Sequence, residues 1–142
     1  MTKSFKTFKR VMNKKIFNKF NFTILTLYKT IAIACAIIHL SYYAIFSILE
    51  IKPLVLFNGF SVILYILLIV FLFKEHYVST MLAAYVEICL HSVFATILIG
   101  WQYGFPLQII CLIPVVFYWP FKKKYTAYLC SSLSAAVLIL LK

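Results

Sequence analysis

Charge is scarce in this sequence, acidic charge above all. Charged residues make up 12% of its 142 residues, and only three are acidic. A soluble domain carries about 25% charged residues, so a water-soluble core is excluded. Glycine is as scarce as the acids, at three residues, and no glycine-rich phosphate loop, metalloprotease helix or nucleophile–base arrangement can be assembled from what is present. Enzymatic chemistry within the chain is therefore not expected. The four cysteines, Cys35, Cys89, Cys111 and Cys130, show no CxxC spacing and all sit in apolar runs, the pattern of buried small hydrophobes rather than of disulfides. The first apolar run is too long for a cleavable signal peptide and lacks a small-residue cleavage site.

What is there instead is hydrocarbon, with 65% of the residues hydrophobic. The apolar runs divide into five segments, each a candidate to cross ~30 Å of membrane. They cover residues 28–49, 54–73, 77–100, 105–121 and 125–141. The expected fold is an all-α polytopic bundle of five transmembrane helices preceded by a basic arm, residues 1–27, with no extramembrane domain. Pro53 and Pro106 suit helix starts. Pro114 falls inside the fourth span, where it should kink the helix.

The net charge of +11 is concentrated at the ends and in one loop. Lys6, Lys9, Arg10, Lys14 and Lys15 alternate with phenylalanines in the arm, and Lys122, Lys123 and Lys124 follow the fourth span. Such segments meet anionic lipid rather than nucleic acid. With the N-terminus inside, twelve of the fourteen basic residues fall on the cytoplasmic side, a strong positive-inside bias. The expected location is the cell membrane, with the N-terminus cytoplasmic.

The third span carries the chemistry. Glu87 and His91 are four residues apart and so share a helix face. The row continues through Ser79, Ala83 and Ala95, small residues that let a neighbouring helix approach. A second row, Cys35, His39, Tyr43 and Ser47, lies on span one. At ~1.5 Å per residue from the cytoplasmic end, His39 lies ~16 Å up span one, Glu87 ~15 Å and His91 ~21 Å up span three. The descending fourth span brings Cys111 near the level of His91. Three readings compete for this set: a hydrogen-bonded lock between helices, a site for a transition metal such as Zn, Cu or Fe, and a switch sensitive to a proton or small ligand. An ionisable group at membrane depth is a functional-site hypothesis by default.

Glu87-x-x-x-His91, the Ala95-Thr96 that follow, the loop Gly100-Trp101-x-x-Gly104-Phe105 and Leu112-Ile113-Pro114, with His39 and Asn58 more weakly, resemble a bacterial sensory membrane region. That region precedes GGDEF diguanylate cyclase domains and class III adenylate/guanylate cyclase domains. The resemblance covers roughly residues 25 to 142. It implies a sensory bundle that controls a nucleotide cyclase, with the Gly100–Phe105 loop as a gate and a homo-oligomer or a signalling partner as the output. The family pattern is a six-helix bundle ending in a catalytic domain, whereas this chain offers five spans and no cyclase. A small transporter or channel subunit relaying protons through Glu87, and a structural partner in a membrane complex, are the alternatives.

Overall fold

Four short breaks cut the apolar chain into helices. The structure, a computed structural model, describes the backbone of residues 3–119, 121 and 123–142, and the side chains of these residues from 25 onward. Its elements are α1 (Lys3–Ile48), α2 (Lys52–Phe73), α3 (Tyr77–Ile99), a 3-10 turn (Trp101–Tyr103), α4 (Pro106–Val115), a second 3-10 turn (Val116–Tyr118) and α5 (Lys124–Leu140). The first two breaks turn on Glu50 and Glu75, which take the left-handed conformation at φ 57° and 65°. The third uses two glycines, Gly100 at φ 100° and Gly104 at φ 79°. Pro53 and Pro106 stand in first turns, where a missing N–H costs nothing.

The backbone shows no break at residue 27, so the basic arm and the first span form one helix. The side chains of Lys6, Lys9, Arg10, Lys14 and Lys15 lie outside the described residues, as does Lys122. Lys123 and Lys124 are exposed.

Three stretches are long and apolar enough to cross a membrane: Leu25–Ile48, Lys52–Phe73 and Tyr77–Ile99. The expected fourth and fifth spans are shorter apolar helices, Pro106–Tyr118 and Lys124–Leu140. Pro114 explains part of the shortening. It stands one residue from the end of α4 rather than mid-helix, and the chain tightens into a 3-10 turn directly after it. Proline removes an intrahelical donor and crowds the preceding turn, so here it ends the α-helix instead of kinking it.

Each long helix is two-faced in a way that hydrophobicity alone does not show. On α2 the inward residues are Leu54, Asn58, Ser61, Tyr65, Leu68 and Leu72. The outward ones include Leu56, Phe60, Ile63 and Leu67, all at least half exposed. A solvent of lipid accepts such a surface, whereas water would not.

Successive helices are antiparallel neighbours, from α1 against α2 through to α4 against α5. Packing is layered along the bundle. At one end Tyr28 and Ala32 of α1 meet Leu72 and Met81. At the other, Phe46, Leu54, Ala95 and Phe105 close together. A third cluster, Tyr85, Leu112, Val116 and Cys130, joins α3, α4 and α5. There the Tyr85 hydroxyl donates to the Cys130 carbonyl at 2.8 Å and lies 3.0 Å from the Ser134 hydroxyl.

Candidate functional site

Between the two end layers the core turns polar. Asn58, Ser61 and Tyr65 of α2 are spaced three and four residues apart, so they form one stripe, and all three are buried. His39 of α1 and Glu87 and His91 of α3 face that stripe and are buried as well. Six polar side chains from three helices thus share one level of an otherwise apolar bundle.

The hydrogen bonds among them have a fixed order. Asn58 Nδ2 donates to the Leu54 carbonyl at 2.8 Å, which leaves Asn58 Oδ1 facing His39 Nδ1 at 2.9 Å. A carboxamide oxygen only accepts, so Nδ1 of His39 carries a proton. The other ring nitrogen, Nε2, lies 3.4 Å from Glu87 Oε1. Ser61 Oγ donates to the same oxygen at 2.6 Å, and the Tyr65 hydroxyl donates to Oε2 at 3.0 Å. Tyr65 does double duty, because its ring also stacks on the His39 ring at 5.2 Å.

With Nδ1 protonated, Nε2 is the nitrogen turned to the Glu87 carboxyl. A proton on Nε2, giving an imidazolium–carboxylate pair, and a proton on the carboxyl, giving two neutral groups, are the two placements that would leave the pair neutral overall, as a low-dielectric interior favours.

His91 behaves differently. Its side chain is fully buried, yet neither ring nitrogen has a hydrogen-bond partner. Aromatic rings surround it: His39 edge-on at 4.9 Å, Tyr42 stacked at 5.8 Å, and Phe57 and Phe105 each at 5.5 Å. The Gln108 carboxamide is near; its oxygen accepts from the Ser92 hydroxyl at 3.0 Å.

Of the four residues expected to hold a ligand, then, His39 and Glu87 are joined, and His91 touches His39 only ring to ring. Cys111 is exposed on α4 and lines a cleft together with His39. Among the described residues no three His, Cys, Asp or Glu side chains converge as a metal-ligand set.

The loop residues fall into place around the upper layer. Trp101 and Gln102 are exposed, and Phe105 is buried against Phe46 and Ala95.

The rows expected by counting in fours drift off the interface. Four residues turn a helix by ~400°, so each step advances ~40°. Tyr43 and Ser47 of α1 and Ser79 of α3 are accordingly exposed. The inward line on α1 runs instead through Tyr28, Ala32, Cys35, His39, Tyr42 and Phe46, at alternating steps of three and four. Sequence reasoning did not join Asn58, Ser61 and Tyr65 to Glu87, although their spacing carries that signal. It missed Tyr42 and Gln108, which nothing but packing singles out.

Comparison of the chain with protein-family models, with curated proteins and with solved structures finds no match.

Proposed function

We propose that the chain is a multi-pass sensory or regulatory membrane domain, with its N-terminus in the cytoplasm, five crossings and no catalysis of its own. Its sensing element is the proton shared by His39 and Glu87. The observation that carries this reading is the arrangement around that pair: three helices contribute to one buried carboxylate, and a second imidazole waits beside it without a partner. A hydrogen bond between membrane helices averages only ~0.6 kcal/mol, so an ionisable network is a poor choice for stability alone. Two histidines facing one carboxylate give the bundle two ways to place a proton. A change in that placement shifts α1 against α3.

The orientation is supported by charge. Lys29 lies over the Phe73 ring at 4.3 Å, next to Lys74, and Lys123 lines a surface hollow with Glu75 and His76. Basic residues therefore gather at the end of the bundle that carries the basic arm, as the positive-inside rule requires. The output, following the resemblance, is a nucleotide cyclase acting as a signalling partner.

A proton relay is less well supported. Both Glu87 oxygens are occupied by donors. Beyond them the core carries Phe46 and Phe105 toward one end and Leu68, Leu72 and Met81 toward the other, and the buried hydroxyls of Ser92, Thr96 and Thr80 are spent on Gln108 and on carbonyls of their own helix turn.

Infrared difference spectra of the protein in nanodiscs test the proposal. A pH step should change a carboxyl C=O band that disappears in Glu87→Gln and moves in Asn58→Leu. No such band, together with unchanged stability of Glu87→Gln, would reduce the network to a packing lock. A Glu87-dependent proton flux in proteoliposomes would favour the transporter.

A further inference from the structure

Helix α1 is tied to the two residues that flank α4, Phe105 before it and Tyr118 in the 3-10 turn after it, and parts from α4 between them. At one end the Phe105 ring packs on Tyr42 at 5.6 Å and on Phe46 at 6.3 Å. At the other the Tyr28 hydroxyl donates to the Tyr118 carbonyl at 2.6 Å. Between these ties lies a cleft of about 360 Å³, within the ~300–1,000 Å³ range of small-molecule sites. Ile38, Leu107 and Cys111 on its rim are exposed, so it opens sideways, at the depth of His39, toward what would be lipid.

We propose that this cleft is a lateral binding site for an uncharged amphiphile whose head carries a carbonyl oxygen. The walls are apolar, formed by Ile38, Ile88, Leu107, Leu112 and Val115. Four polar side chains also line it. Two of them have their polar atoms committed elsewhere: His39 bonds Asn58 and faces Glu87, and Tyr65 donates to Glu87. The other two are free to donate. The Tyr42 hydroxyl and the Gln108 NH2 make no hydrogen bond among the described residues, and the Gln108 oxygen is already taken by Ser92. Unused donors at membrane depth are costly, since lipid offers them no acceptor. A carbonyl oxygen satisfies either donor.

Charge argues the same way. The ionisable pair behind the cleft is closed on itself, each group already partnered, so an ionic head would enter without a free counter-charge and bear its desolvation penalty. A hydrocarbon tail would leave through the open side of the cleft. Cys35, Tyr65, Ile88, Leu112 and Val115 also line a separate narrow slot of about 70 Å³, walled by Ile31, Ala32, Leu68 and Trp119 among others, which has space for no more than the end of a chain. The inference requires the membrane reading of the bundle but not the proton-sharing role of His39 and Glu87.

Binding is measured on protein already reconstituted in nanodiscs, with radiolabelled probes of two sources. One is a decyl-substituted benzoquinone, with ring carbonyls, and the other is monoolein, with an ester carbonyl. Oleate serves as the ionic comparison. At least one neutral probe should saturate near one per chain while oleate does not, and the better probe names the source. Tyr42→Phe and Gln108→Leu should each weaken binding about threefold to tenfold, the worth of one net hydrogen bond. Cys111→Trp, which fills the cleft, should abolish it. Tyr42→Phe keeps the ring packed on His91 and Phe105, so it remains informative if the tryptophan variant fails to fold. Non-saturable partitioning of both neutral probes would overturn the proposal. So would oleate binding as tightly as they do, or saturable binding that all three variants leave unchanged. Such a failure would leave the infrared test of Glu87 untouched, because the probes report on the cleft alone.

Discussion

Asn58 Oδ1 lies 2.9 Å from His39 Nδ1, and this contact determines what the imidazole presents to Glu87. The carboxamide is itself held, because its nitrogen donates to the Leu54 carbonyl one turn earlier. The consequence runs through three helices. α2 sets the proton on Nδ1 of α1, and Nε2 is thereby the nitrogen turned to the carboxylate of α3. Asn58 makes no hydrogen bond to Glu87, yet it fixes the tautomer, as the groups behind metal-binding and catalytic histidines do.

Asn58→Leu should therefore destabilise the bundle. The substitution keeps the volume and removes the acceptor, leaving a buried N–H without a partner, which costs about 1–3 kcal/mol. Equilibrium unfolding in mixed micelles checks it. A change within about 0.5 kcal/mol would mean that His39 finds another acceptor, and the tautomer argument would fall.

Backbone conformation at the turns yields a pair of predictions of opposite sign. Glu75 sits at φ 65°, where a side-chain-bearing residue costs about 1–2 kcal/mol. Glu75→Gly removes that cost and loses part of the gain to chain entropy. It should stabilise by about 0.5–1 kcal/mol. Gly100 sits at φ 100°, and a Cβ there would stand 2.5 Å from the Gln102 carboxamide. Gly100→Ala should destabilise by about 1 kcal/mol or more. The same unfolding assay reads both, and equal signs would contradict the conformations assigned here.

Much of the central level was legible in the sequence, and the reasons are physical. Helical rise is constant, so counting residues places His39 and Glu87 at equal height without any knowledge of packing. Rotation is less forgiving. A row taken in fours slips ~40° per step, which is why Tyr43 was counted into the face that Tyr42 occupies. The stripe of Asn58, Ser61 and Tyr65 was available from spacing alone, because polar residues are rare enough in α2 for three on one side to be informative. Gln108 was not available in that way. Its partner Ser92 and its place on the cleft depend on how α4 packs against α3, which spacing along one helix does not show. Hydropathy likewise marks five apolar runs but cannot see that the fourth divides into α4 and a 3-10 turn, whereas the fifth folds over 17 residues, the length it reads.

Orientation can be tested at the turn between α3 and α4. Gln102 is exposed and lies at the end of the bundle away from Lys29 and Lys123. With the four native cysteines replaced, Gln102→Cys should react with an impermeant maleimide in intact cells. A cysteine at Lys74 should react only after lysis. The reverse pattern would place the N-terminus outside, and labelling of both in intact cells would mean that α3 does not cross.

His91 offers the most discriminating measurement. A fully buried imidazole with both nitrogens unpartnered is a cost to the fold, and an apolar side chain of similar volume removes it. His91→Leu should stabilise the protein by about 1–3 kcal/mol. If His91 is the second partner available to Glu87, its effect must depend on whether His39 is present. In a His39→Phe background, which keeps a ring against Tyr65, Glu87 loses the partner it has and His91 becomes the nearest replacement. There His91→Leu should destabilise instead. The two effects should differ by at least about 1 kcal/mol, within the range of coupling between residues in contact. Additive effects across the four proteins would show that His91 never serves Glu87, and the two-histidine switch would be lost. Destabilisation by His91→Leu in the wild-type background would show that an unseen partner, such as a buried water, satisfies the imidazole.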